Sequence, residues 1–363
     1  MKYTFGGKLS FINTNSAFDY FDTTGNQIIL DPLQSNKFDY KENIQALYAN
    51  AEKKLKKWEF QFGLRVESTQ TTGYSENLNQ TDKNNYIKLF PTLYISHTLN
   101  DDNVFNLNYS KRIGRPSYYM ANPFKIYQNQ FSYVEGNPFI KPEYAHLVEL
   151  SHTYKNNLNT SLNFMYLQDG KSQVQIVDAN DNTLKSTYLN FFKAYTYNLN
   201  ITHTFNKWKW WESNNSLIFS HNYVIADENL NNQKIKTSNF YISSNNTFIL
   251  NSGKTLLAGL DVSYQSPYGI NIIKYKERFN TNLSFKYLLM DKNMQFSLIL
   301  SDIFRTGKGK FSNFSNNILI QNNNYYDNQY FRIAVSYKFG NKKVNVEQHD
   351  TGNEDEKERV YGD

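Results

Sequence analysis

Apolar and polar residues alternate with a period of two over most of this chain, and the segments that do so are joined by connections that are short and long in strict turn. Trp58, Phe60, Phe62, Leu64 and Val66 alternate with Glu59, Gln61, Gly63, Arg65 and Glu67. Leu158, Thr160, Leu162, Phe164 and Tyr166 oppose Asn159, Ser161 and Asn163, and Phe331, Ile333, Val335, Tyr337 and Phe339 oppose Arg332, Ala334, Ser336 and Lys338. Successive side chains of a strand point to opposite faces, so each segment has one apolar face and one wet face. The pattern predicts about fourteen strands, each near the ~10 residues that a tilted strand needs to cross a bilayer.

The connections discriminate further. Short ones are "NDDN" at Asn100 to Asn103, "KNN" at Lys155 to Asn157, "NKWKW" at Asn206 to Trp210, "NSGK" at Asn251 to Lys254 and "MDKN" at Met290 to Asn293. Between them fall long ones, at 13–39, 71–85, 114–142, 170–185, 225–236, 266–273 and 305–325. Short turns at one end of the strands and long loops at the other are the plan of an outer-membrane barrel. A soluble sandwich with Greek-key crossovers has no reason to keep that rhythm. The expected fold is all-β, a transmembrane antiparallel up-and-down β-barrel spanning 1–340, with a charged, aperiodic tail at 341–363 expected to be flexible and periplasmic.

A barrel also reconciles a composition that is otherwise contradictory. Aromatics make up 17% of the residues, with Tyr 29 and Phe 27, yet mean hydropathy is -0.68. A polar lumen lowers the mean, while Tyr, Phe and Trp near strand ends suit the interfacial girdles. Trp208, Trp210 and Trp211 beside Lys207 and Lys209 read as such an anchor. The formal net charge of +6 is spread along the chain, so no nucleic-acid partner is expected. The sequence contains no cysteine, which excludes disulfides, thiolate metal sites and cysteine nucleophiles. The start, "MKYTFGGKLSFINT", lacks the apolar run of a secretory signal, so an export signal is expected outside this stretch.

Chemistry-bearing motifs are missing. The histidines are scattered, with His146 and His152 six apart on one strand and therefore roughly 20 Å from each other. There is no nucleophile elbow, P-loop or dinucleotide fingerprint. No catalytic residue, metal site or cofactor is expected, and "GKGK" at Gly307 to Lys310 reads as a basic loop tip with anion binding as a minor alternative.

The long connection in "RIGRPSYYMANPFKIYQNQFSYVEGNPFIKPEY", Arg112 to Tyr144, is too rich in proline, glycine and aromatics for a helix or an unbroken strand. Arg112 is in phase with Asn106, Asn108 and Ser110, and Glu143 with Glu149 and Ser151, so both are expected on the wet face, paired across the strands at the base of the loop. Arg115 joins this lumen set, and Pro116, Pro123, Gly136, Asn137, Pro138 and Pro142 are expected to set the loop's corners. Tyr118, Tyr119, Tyr127 and Tyr133 are candidates for ligand contact, with a purely structural lid as the alternative.

"YSKRIGRPSYYMANPF" followed by "EGNPFIKPEY", with "FGGKLSF", "FDYKENIQALYAN", "FGLRVEST", "LFPTLYISHTL" and "YFRIAVSYKFG" elsewhere, resembles the outer-membrane β-barrel family of Bacteroidetes, the C-terminal barrel part of TonB-dependent receptor-like proteins. The likeness spans about residues 1–340. It implies the later strands of a 22-stranded barrel in the outer membrane of a Gram-negative bacterium, forming the pore wall and extracellular loops for nutrient uptake. Implied partners are outer-membrane lipid, a small nutrient ligand, and an N-terminal plug domain and TonB where the full-length protein carries them. A self-contained passive channel of fourteen strands, an outer-membrane hydrolase and a soluble carbohydrate-binding protein are the rival expectations.

Overall fold

The structure of the chain, a computed structural model, describes residues 1–25, 27–76, 79–178, 182–227, 233–270, 273–315, 318–339 and 358–359. Its main element is a continuous antiparallel meander in which each wall strand pairs with the next along the chain. The first five strands are β1 (Lys2–Asp22), β2 (Ile29–Leu55), β3 (Trp58–Ser75), β4 (Gln80–Asn100) and β5 (Asn103–Gly114). After a short helix, α1 (Tyr118–Ala121), and a small hairpin, β6 (Lys125–Asn129) and β7 (Ser132–Glu135), the wall resumes. It runs through β8 (Glu143–Tyr154), β9 (Leu158–Asp178), β10 (Thr183–Trp208), β11 (Trp211–Ala226), β12 (Lys234–Ile249) and β13 (Leu256–Gln265). The short strands β14 (Tyr268–Ile270) and β15 (Ile273–Tyr275) intervene before wall strands β16 (Arg278–Leu289) and β17 (Met294–Ser301). Two more loop strands, β18 (Gly309–Ser315) and β19 (Ile318–Asn324), precede the last wall strand, β20 (Tyr330–Tyr337).

Register settles which residues share a face. Leu107 lies opposite Leu150, Leu150 opposite Leu162, Leu162 opposite Leu199, and Leu199 opposite Phe219. The row continues from Phe219 to Phe240. On the other face Asn108 lies opposite Glu149, which lies opposite Asn163 and through it Asn198. Among the described residues no second layer covers the apolar face: Leu9 and Phe11 are 70% exposed, Leu47 71% and Ile333 70%. Rows of Leu, Phe and Ile this extensive and this bare have lipid as their solvent, because the backbone of a spanning sheet is satisfied within the sheet and only the side chains face the hydrocarbon.

Three sequence expectations need correction. The described residues form twenty strands, rather than about fourteen, because short strands also form inside the long connections. β14, β15, β18 and β19 make a separate small sheet. The wall is not closed, since β1 and β20 sit at opposite ends of the strand order and do not pair. Finally, much of what the sequence suggests is loop is strand: β1 continues to Asp22 and β2 starts at Ile29, where a loop is expected over 13–39. Beyond the bilayer both faces meet water, so the period-two signal fades while the hydrogen-bonded ladder continues.

Of the tail expected to be flexible, only Glu358 and Arg359 are among the described residues. The buried apolar cluster, Val174, Phe191, Phe192, Ala194, Val224 and Ala226, lies on β9, β10 and β11 towards the long-loop end. Ile273 of the small sheet packs against it, so the mouth on that side is roofed by loop structure.

Candidate functional site

The connection between β5 and β8 leaves the wall and straps the mouth. Its first anchor is Arg115, whose guanidinium pairs with Glu67 on β3, a carboxylate only 3% exposed. Pro116 ends the strand direction, and the single turn of α1 sets the Tyr118 ring 5.7 Å from Phe38 and 6.1 Å from Tyr40, both on β2. Phe124 meets Phe18 of β1 at 6.3 Å. The far side is tied to β10, six places along the wall from β2. There β7 pairs in parallel, with Ser132 to Val134 opposite Leu184 to Ser186, and Tyr119 meets Tyr188 edge-on at 6.3 Å.

Gly136 and Asn137 lock the two halves of the strap together. The Gly136 N–H donates to the Asn122 carbonyl at 3.0 Å and the Asn137 N–H to that of Met120 at 2.7 Å. The Asn137 side chain donates to the Tyr188 carbonyl at 2.9 Å and accepts from the Phe139 N–H at 3.0 Å. Pro123, Pro138 and Pro142 fall in the irregular junctions between these elements, where a missing N–H removes no ladder bond.

The expected Arg112–Glu143 pair does not form. Both face the lumen, but Glu143 lies opposite Gly114 while Arg112 lies opposite Ala145. Glu143 takes Lys171 of β9 instead, with Nζ at 2.8 Å and the Lys171 N–H at 3.2 Å. Lys171 Nζ also donates to the Gly114 carbonyl at 3.1 Å, closing the base of the loop across three strands. Arg112 lines the main lumen cavity, about 950 Å³, with Asn108, Glu149 and Asn163.

Of the four tyrosines singled out, Tyr118 is packed into the Phe38 and Tyr40 cluster. Tyr119 and Tyr127 are 40% and 46% exposed. Tyr133 meets Tyr127 at 5.6 Å with the rings tilted, and lies under Lys125. Beneath the strap a smaller cavity of about 240 Å³ is lined by Tyr40, Glu42, Tyr86, Lys88 and Arg115. Glu42 is 2% exposed and accepts a two-pronged contact from Arg359, at 2.7 and 3.2 Å. Buried carboxylates with guanidinium partners are structural fixtures of this wall, because an unpaired charge at such a site is strongly destabilising.

The "GKGK" loop tip does not offer its first amide to an anion. Gly307 N–H donates to Asp302 Oδ2 at 3.0 Å and Thr306 N–H to Oδ1 at 2.8 Å, with the Tyr325 hydroxyl at 3.2 Å. Burial works against ionisation of Asp302, yet the bonds from Gly307, Thr306 and Tyr325 outweigh it and hold the carboxyl below its ordinary range. A depressed folded pKa contributes stability above the unfolded value, about 3.9, and loses it as pH falls through the folded one. Hydrogen exchange at the Thr306 and Gly307 amides, corrected for intrinsic rates, is therefore expected to stay slow at pH 5–7 and to accelerate only in strong acid. Asp302→Asn should exchange faster at neutral pH by roughly tenfold, since a bond to a charged acceptor contributes about 1.5–3 kcal/mol. Unchanged protection in that variant would remove the carboxylate from the account.

The model of the outer membrane protein beta-barrel family matches residues 1–337. The chain belongs to that family. Members reside in the outer membrane of Gram-negative bacteria, and this protein is placed there. No curated protein matches the sequence. Among solved structures, the chain is similar to the siderophore receptor PiuA from Acinetobacter baumannii, with TM-score 0.62 at 12% identity over 93% of this chain and 53% of that one. It is also similar to the ferric-catecholate import receptor Fiu from K12 E. coli, with TM-score 0.61 at 10% identity over 93% and 52%. A third is the ferric yersiniabactin uptake receptor FyuA from Yersinia pestis, with TM-score 0.56 at 15% identity over 89% and 49%. The chain thus spans about half the length of these structures.

Sequence reasoning missed several residues on which this family member's mouth depends. Lys171, Tyr188 and Asn190 sit in the stretch around 170–190, in and beside a connection expected to be loop. Asn190 fastens the returning end of the strap, donating to the Lys141 and Asp169 carbonyls at 2.9 and 2.7 Å and accepting from the Lys141 N–H at 2.8 Å. No local pattern marks an asparagine for such a task, since Lys141 lies 49 residues away in sequence and Asp169 21.

Proposed function

We propose that this protein forms the wall and outer mouth of a pore for uptake of a small nutrient across the outer membrane. The observation that carries the reading is the division of one sheet into a bare apolar face and a polar lumen face, with an ordered strap held over the long-loop end. Tyr119 and Tyr127, exposed on that strap, are the side chains proposed to meet the ligand, with Tyr118 and Tyr133 fixing them from behind. Unpaired edges at β1 and β20 favour completion by further strands over a self-contained passive channel. A wall of twenty-two strands takes eight beyond the fourteen on the main path, and such a pore would carry a plug domain and draw on TonB. The named ferric receptors make an iron-loaded catecholate the first probe, on fold analogy alone.

The test is accumulation of radio-iron catecholate, ferric hydroxamate and a cobalamin by cells with and without the complete gene, before and after collapse of the proton-motive force. Energy-dependent uptake of one of them, reduced about tenfold by Tyr119→Ala with Tyr127→Ala, is expected for anchors of this size. Uptake that survives collapse of the proton-motive force would favour the passive channel, and a panel wholly indifferent to the gene would dismiss nutrient import.

A further inference from the structure

On the lipid-facing side of the wall from β5 to β12, positive charge gathers at the long-loop end. At the long-loop end, direct register neighbours form a row: Lys111, His146, Tyr166, Tyr195, Tyr223 and Lys236. The rings touch along it, His146 to Tyr166 at 6.1 Å, Tyr166 to Tyr195 at 5.0 Å and Tyr195 to Tyr223 at 6.2 Å, with Lys236 Nζ 5.0 Å from the Tyr223 ring. One step further out, exposed Lys193 and Lys234 flank Ile225, with which both are in register. The Leu150, Leu162, Leu199 and Phe219 row lies four residues below, about 13 Å along the strands.

Among the described residues, the outward-facing positions of β5, β8, β9 up to Tyr166, β10 from Lys193 to Phe205, β11 and β12 thus hold four lysines and no carboxylate. The acidic residues Glu143, Glu149 and Glu212 on these strands face the lumen. Asp169 and Asp227 stand only at the upper rim, around a recess of about 450 Å³ that includes Tyr166 and Lys193. Five inter-strand steps separate Lys111 from Lys236, about 24 Å of wall. A wet, cationic band immediately above hydrocarbon and backed by a tyrosine row is complementary to one neighbour, an anionic headgroup at the membrane surface.

We propose that this strip docks the phosphorylated headgroup of an outer-leaflet lipid, with Lys111, Lys193, Lys234 and Lys236 pairing with phosphate oxygens and the tyrosine row lying at headgroup level. The inference rests on the wall reading above and on the strap side facing out. The complete protein, extracted in mild detergent, is tested by native mass spectrometry for retention of a bis-phosphorylated diglucosamine lipid, of the same lipid with its phosphates removed, and of inorganic phosphate. Retention of the phosphorylated lipid alone is expected, falling about tenfold or more when all four lysines become Gln. Changing Lys207 and Lys209 to Gln, at the opposite end of β10, should leave it unchanged. Should the fourfold variant fail to fold, the single Lys193→Gln and Lys236→Gln proteins are expected to lose retention by roughly threefold each. Equal retention of the phosphate-free lipid, or full retention by the folded fourfold variant, overturns the strip and leaves the wall standing. A protein that needs no detergent at all overturns both.

Discussion

Leu162→Arg is expected to cripple insertion of the protein into a bilayer, while Asn163→Arg, one residue along the same strand, should be tolerated. Leu162 is 54% exposed and lies mid-row between Leu150 and Leu199, where only lipid can cover it. An arginine at the midplane of a barrel's lipid face costs about 2–4 kcal/mol, a shift of roughly thirty- to a thousandfold in the folding equilibrium. Asn163 points the other way, into the lumen cavity and opposite Glu149, so a guanidinium there finds water and a carboxylate. Denaturant titration of the protein folded into lipid vesicles measures the contrast. Equal midpoints for the two variants would mean that the leucine row does not face hydrocarbon, and the membrane wall would have to be abandoned.

That contrast also explains how much of the fold was legible in the sequence. Alternation is visible where lipid lies on one side and water on the other, so strands such as Trp58 to Val66 could be read residue by residue. Past the bilayer the signal vanishes although the ladder does not, and for that reason the outer halves of β1, β2, β9 and β10 read as loop. The strap was legible only as an irregular stretch with proline corners. The parallel pairing of β7 with β10 depends on partners some 50 residues away, for which no local pattern exists.

Phase placed Arg112 and Glu143 on the correct face but not together. The true partner of Glu143 follows a bulge at Gly170, where the pairing of β10 with β9 shifts register. A β-carbon at Gly170 would stand 2.4 Å from the Phe192 ring, so the glycine admits that ring and Lys171 is carried to the lumen base. A bulge adds one residue and breaks the count on which phase arguments depend.

Gly136→Ala is the second large effect expected, and it should open the strap without harming the wall. A β-carbon at Gly136 would lie 2.2 Å from the Asn122 carbonyl oxygen and 2.9 Å from that residue's backbone N and C. These are backbone atoms of the junction after α1, so they cannot swing aside as a side-chain tip would. Relief requires the two halves of the strap to part, which removes the Gly136 to Asn122 and Asn137 to Met120 bonds together. Overpacking costs about 1–3 kcal/mol and each lost bond about 1 kcal/mol, so the open population should rise about a hundredfold. Trypsin cleavage after Lys125 reports it, with Gly25→Ala as the control, because nothing lies within 4 Å of a β-carbon there. The wall strands pair without any residue between 115 and 142 except where β7 edges β10, so resistance of the barrel to heat in detergent should persist. A Gly136→Ala strap as resistant to trypsin as the parent would show that its order comes from the Arg115, Tyr118 and Asn190 anchors alone.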